Sequence, residues 1–155
     1  MANPLYGQNK ADNGLDNLAS IFKVIKHTVT VDDTGIAAAA DLVPDGIPAY
    51  FTPIWCSVKN VSASEALHAT TAQLVVETSG DILCPDLNAL AAGASVASLV
   101  ELSGINAANK GAYAVAKDIE PVTANVKAAT ASVTLEIIIL GIDAKVAIHD
   151  ALSGE

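Results

Sequence analysis

Apolar positions in this chain recur with a period of two, the spacing of β-strands. Ala131–Leu140 alternates most cleanly: Val133, Leu135, Ile137 and Ile139 fall on one face, and Ser132, Thr134 and Glu136 on the other. Phe22–Val31 (Phe-Lys-Val-Ile-Lys-His-Thr-Val-Thr-Val) is rich in the β-branched residues that suit a pleated, half-buried surface. Tyr50–Val61 is a further strand region, entered through Pro53. In it Ile54, Cys56 and Val58 share one face, and Trp55, Ser57 and Lys59 the other. Ala72–Thr78, Ile82–Cys84, Ser95–Leu102, Ala112–Ile119 and Val122–Lys127 complete the strand candidates.

Turn chemistry separates these runs. Asp32-Asp33-Thr34-Gly35 supplies a β-turn, after which Ile36–Val43 can return as the hairpin partner of the first strand. Pro44-Asp45-Gly46 and Pro48 break the chain again, Ser79-Gly80-Asp81 stops the third strand, and Pro121 divides the last two short ones. Leu87, Leu90 and Ala91 have helical spacing that Gly93 interrupts, which predicts a turn or short helix ahead of a strand. About eight short strands with frequent turns predict an all-β antiparallel sandwich, jelly-roll-like, or a barrel. Nothing alternates as βαβ, which disfavours a parallel sheet. The expected organisation is an N-terminal arm over residues 1–20, one β-sandwich domain over 21–141, and a C-terminal tail over 142–155.

Composition narrows the function classes. The chain has 155 residues, enough for one domain with a sizeable core. Charged residues make up only 16%, against about 25% in average chains, so Ser, Thr, Asn, Ala and Gly must cover much of the surface. Such a surface suits a protein that stays packed against neighbours. There are eight Lys and no Arg, and 17 acidic residues give a net charge of -9. Nucleic-acid binders need a basic face to release counterions, so direct nucleic-acid binding is not expected. No apolar run approaches the length of a membrane span. The first ten residues hold no apolar signal core, so Cys56 and Cys84 are expected as free thiols in a reducing cytoplasm, with a Cys56–Cys84 disulfide as the alternative.

Candidate chemistry is sparse. His27, His68 and His149 have no second ligand at metal spacing. Asp32 and Asp33 read as a turn, with two ligands of a calcium site as the alternative. Phosphate loops and nucleophile elbows are absent. No enzyme activity and no cofactor are expected. Asn60-Val61-Ser62 fits the glycosylation pattern by chance. Tyr50, Phe51 and Trp55 cluster in sequence and read as a core or subunit contact, with a sugar-stacking platform as the alternative. Trp55 falls opposite the Cys56 face, where it meets solvent or a partner, and Trp is enriched in interface cores.

Residues 1–20 are polar and turn-rich, yet Leu5, Tyr6, Leu15 and Leu18 recur through them. They read as an extended arm that docks on its own body or on a neighbour. The opening Met-Ala-Asn-Pro-Leu-Tyr-Gly-Gln-Asn-Lys-Ala-Asp-Asn resembles the N-termini of small structural proteins of tailed bacteriophages, especially marine ones. The Leu42–Pro48 turn and the closing Ala131–Leu140 strand fit the same pattern. In this the chain is similar to capsid decoration, or cement, proteins and related jelly-roll virion components. The resemblance implies a place on the capsid exterior of a virion made in the host cytoplasm. It also implies a homotrimer that bridges subunits of the major capsid protein, and partner contacts in the arm through Leu5, Tyr6 and Leu15. The alternatives are another phage part (a head fibre base, neck or tail component) and a carbohydrate-binding β-sandwich.

Overall fold

The computed structural model describes residues 21–68, 72–77, 80–84, 86–101, 113–122 and 125–144. Eight strands run through them: β1 (Phe22–Asp32), β2 (Val43–Ile47), β3 (Phe51–Asn60), β4 (Leu74–Val76), β5 (Ile82–Cys84), β6 (Ser95–Leu99), β7 (Lys117–Pro121) and β8 (Ser132–Asp143). They form two four-stranded sheets, ordered β1-β8-β3-β6 and β2-β7-β4-β5, with every neighbouring pair antiparallel. The protein is therefore an all-β antiparallel sandwich, as the period of two predicts. Only β4 and β5 follow each other within one sheet; every other connection crosses to the opposite layer.

β8 organises the first sheet. It pairs with β1 from Phe22↔Ile142 to Asp32↔Ser132, and with β3 on its other side. Its Val133, Leu135, Ile137 and Ile139 are fully buried and pack into one core with Ile47, Leu74, Val76, Leu83 and Ile119 of the second sheet. β8 continues through Gly141 to Asp143, beyond the boundary the sequence suggests.

Side contacts tie the layers together at their edges. Beside β5 and β6, Ile82 and Glu101 exchange backbone hydrogen bonds of 2.8 and 2.9 Å. At the other edge, His27 Nε2 donates to the Gly46 carbonyl at 2.7 Å, joining β1 to β2. Two polar side chains are buried with partners. Asn60 donates to the carbonyls of Glu65 and Leu90 and accepts from Ser62 N, and Tyr113 donates to the Asp81 carboxylate.

Several local expectations are corrected. Ile36–Val43 does not return as the hairpin partner of β1; β8 takes that place, and β2 begins only at Val43, in the other sheet. The cause lies in the turn. Asp32 Oδ1 accepts from Thr34 N, Thr34 Oγ1 and Gly35 N, which bends the chain out of the sheet, and the alanines that follow offer little to pack. Gly35 has φ +71° against the Val126–Lys127 backbone, so a side chain there has no room. Pro44-Asp45-Gly46 lies inside β2 rather than ending a strand. β2 is an edge strand with an irregular register between Val43 and Ile47, where a missing N–H is tolerated. The described residues of Val122–Lys127 form no strand: Val126 makes an isolated bridge to Ile36, while Pro121 closes β7. Leu87–Ala91 is a turn that buries Leu87 and Leu90, without a helix.

Candidate functional site

The outer face of the β1-β8-β3-β6 sheet is apolar where solvent would demand polar residues. The register sets its side chains in rows. One row runs across all four strands as Val24, Leu140, Trp55 and Leu99. Beside it lie Phe22, Ile142 and Thr52 on one flank, and Lys26, Ile138, Ser57 and Ala97 on the other. Phe22, Val24 and Leu99 are 52%, 62% and 69% exposed. Apolar side chains aligned across four strands and left this exposed mark a candidate interaction surface, although Tyr50, Val61, Val115 and Val122 are exposed elsewhere. The band ends at a polar row of Thr28, Glu136, Lys59 and Ser95. Lys26, in the row of Ile138, reaches Glu136 of that polar row at 2.5 Å, and near the strand ends Lys23, opposite Gly141, meets Asp143 at 3.4 Å. Exposed ion pairs of this kind are worth little in stability.

A β-bulge turns Trp55 outward. Phe51 and Pro53 face the core, so strict alternation would point residue 55 inward as well. Pro53 pairs with Gly141 and Trp55 with Leu140, which leaves Ile54 as an extra residue on β3. The phase shifts by one there. Cys56, Val58 and Asn60 then face inward, and Trp55 joins the outer row. Ile54 is half-buried at the bulge and does not share the Cys56 face as expected. Gly141 opposite permits the close approach: a Cβ there would collide with the Thr52 carbonyl and the Phe51 ring. Pro53 fits because β6 reaches only as far as Leu99, opposite Trp55, so no β6 residue pairs with it.

The outer face of the other sheet differs in kind. Ile119 of β7 faces the core, so Asp118 and Glu120 face out. Asp41 and Glu77 gather with them. Asp118 beside Asp41, with Glu77 nearby, raises the Asp41 carboxyl above its usual range. Partial burial, then Glu77, Asp41 and Asp118, raises Glu120 in the same direction. One cation, Lys117, approaches Glu77 at 3.9 Å. The sandwich thus carries an apolar face and an acidic face on opposite sides.

The remaining candidates do not assemble into a chemical site. Tyr50, Phe51 and Trp55 part company: Tyr50 sits exposed at a turn with φ 64°, Phe51 is buried in the core, and Trp55 lies on the apolar face. They form no stacking platform. Cys56 and Cys84 are free and buried, and desolvation pushes their thiols up to about 12 and about 11. Buried apolar thiols of this kind are inert. Asp32 is committed to its turn; the Thr34 hydroxyl and the Gly35 amide hold its carboxyl below the usual range. His68 Nδ1 is buried without a hydrogen-bond partner among the described residues, beside Leu67, Leu87 and Val126. Asn60 of the glycosylation pattern has its side chain buried and bonded. Among the described residues no group of three or more His, Cys, Asp or Glu could hold a metal, and no helix is long and apolar enough to cross a membrane.

Of the partner-contact residues expected from sequence, Trp55 stands at the centre of the apolar row. Leu5, Tyr6 and Leu15 lie outside the described residues, as does His149. Phe22, Val24, Leu99 and Leu140 are new members of the site. For Val24 and Leu140 the sequence carries a signal: Val24-Ile25 and Ile137-Ile138-Ile139-Leu140 are apolar at consecutive positions, so each strand puts apolar side chains on both faces there. No family model matches the chain, and no curated protein matches it significantly.

Proposed function

We propose that this protein is a virion structural component that binds the outside of a phage capsid and reinforces it. The observation that carries the proposal is the contrast between its two outer faces. An apolar band with Trp55 at its centre fits a docking surface, and an acidic cluster at Asp41, Glu77, Asp118 and Glu120 fits the side left in solvent. The strand order β1-β8-β3-β6 against β2-β7-β4-β5, with nearly every connection crossing layers, favours a jelly roll. The resemblance of the opening residues to phage structural proteins supplies the partner, the major capsid protein, and a homotrimeric arrangement. Many weak, symmetry-related contacts add up through avidity, so a small face suffices on a repeating shell.

Co-sedimentation with purified capsids tests this. The protein is expected to bind throughout the shell and to raise its thermal stability, and Leu99→Glu, which places a charge in the apolar row, is expected to weaken both. Absence of binding to capsids removes the assignment. Labelling confined to one vertex or to the tail favours a neck or tail component. Quenching of Trp55 fluorescence by a glycan favours a carbohydrate-binding sandwich.

A further inference from the structure

The chain's two cysteines come from different sheets and converge where β5 meets β6. Cys56 lies on β3 and Cys84 on β5, and both side chains are buried in one core cluster. Cys56 faces inward beside Ser98, its direct partner across the β3–β6 pair. Residues opposed in this way have Cα atoms about 5 Å apart. Ser98 Oγ in turn donates to the Leu83 carbonyl at 3.1 Å, so the β5 backbone passes against Ser98, one residue from Cys84. Cys84 pairs with the buried Leu74 across β4–β5 and shares its inward face. β5 packs against β3 as well as β6, and backbone hydrogen bonds between Ile82 and Glu101 and from Val100 to Ile54 hold the three strands together there. Burial first, and then the nearby Cys84 thiol, raises the Cys56 thiol.

We propose that Cys56 and Cys84 are a latent inter-sheet cross-link, two thiols that the fold holds ready to close as one disulfide between β3 and β5. The inference does not rest on the capsid assignment. The reaction takes a small disulfide, such as oxidised glutathione, as its oxidant. The thiolate of one cysteine attacks it, forming a mixed disulfide and expelling one glutathione thiolate. The thiolate of the other cysteine attacks the protein sulfur of that mixed disulfide and expels the second. Two cysteine thiols are oxidised, one glutathione disulfide is reduced to two thiols, and the two cysteine protons pass to them through solvent.

Native burial blocks the first attack. The bond therefore forms while the chain folds or transiently opens, when the Cys56 thiol returns towards its ordinary 9.0. No third cysteine competes for the pairing. The native sheets already hold the two ends together, so the bond acts mainly on the unfolded chain, where it closes a loop of about 28 residues.

The experiment refolds the full chain in a glutathione redox buffer or in excess reductant, and compares free thiols, mass, circular dichroism and melting temperature. The oxidised chain is expected to lose both thiols, to remain a monomer lighter by two hydrogens, and to regain the native spectrum. Its melting temperature is expected to lie about 7–14 °C above that of the reduced chain. In a redox titration, opening the bond in the native protein should need a glutathione buffer about 400-fold more reducing than in concentrated guanidinium. The Cys84→Ala variant should melt at one temperature in both buffers; the redox titration needs no variant and carries the test if that one fails to fold. An oxidised chain that melts no higher than the reduced one overturns the proposal, because the native fold then does not fit the bond. Equal redox midpoints in native and unfolded chains overturn it too, as do glutathione adducts or linked dimers as the main product.

Discussion

Ile137 and Ile138 are neighbours of identical chemistry on opposite faces of β8, and truncating each in turn measures the sandwich directly. Ile137 is fully buried, flanked by His27 on β1 and Val58 on β3. Ile137→Ala removes three carbons, worth about 2.4 kcal/mol at ~0.8 kcal/mol each. If the core does not collapse, a void of about 60 Å³ at ~24 cal/mol per Å³ adds about 1.4 kcal/mol, for a total of about 4 kcal/mol. In a domain of this size that lowers the melting temperature by about 8–16 °C. Ile138 points outward between Lys26 and Ser57 and is half-buried. Ile138→Ala leaves no enclosed void and is expected to cost about 1 kcal/mol, or about 2–4 °C. Urea and thermal unfolding followed by circular dichroism read both. Equal shifts, or a larger one for Ile138, would mean that β8 is slipped by one residue, and would refute the assignment of its faces.

Three further outcomes are expected. Gly141→Ala drives a Cβ into the Thr52 carbonyl and the buried Phe51 ring, at a cost of about 3 kcal/mol in urea unfolding; a neutral result would deny the close approach at the bulge. Native Cys56 and Cys84 are expected to ignore a disulfide reagent at pH 8 and both to react once the chain is unfolded; prompt reaction of either in the native protein contradicts their burial. The pH dependence has two opposing limbs. Asp32 and Glu65, whose carboxyls are lowered by Thr34 and Thr130 respectively, contribute stability above their ordinary 3.8 and 4.5 that is lost as pH falls through their lower folded values. Asp41 and Glu120 are raised, so their contribution is present below 3.8 and 4.5 and is lost as pH rises through their higher folded values. The melting temperature should peak in mildly acid solution, and Asp118→Asn should flatten the decline above the peak; a steady rise to neutrality would contradict the acidic cluster.

Much of the fold is legible in the residues, and the reason is local. Alternation in Val133–Ile139 states which side chains enter the core, because the pleat leaves no other choice once one face is buried. Partnership between strands is not local. β1 and β8 are separated by about the whole length of the domain, so nothing near Asp32-Asp33-Thr34-Gly35 says that the chain leaves the sheet instead of turning back. The bulge at Ile54 is equally hidden. It lies where Pro53 pairs with Gly141 and Trp55 with Leu140, a pairing between strands far apart in the chain that nothing beside Ile54 announces. Trp55 was visible as an outward residue from its parity with Cys56. Its row-mates Val24, Leu140 and Leu99 came from three other strands, and the register alone assembles them.

Electron cryo-microscopy of the intact particle tests the central claim most directly. The account predicts density for this sandwich repeated over the capsid exterior, with the β1-β8-β3-β6 face covered by protein and the Asp41–Glu120 side towards solvent. Density confined to one vertex or to the tail, or a sandwich on the shell with the Trp55 face open to water, would contradict it.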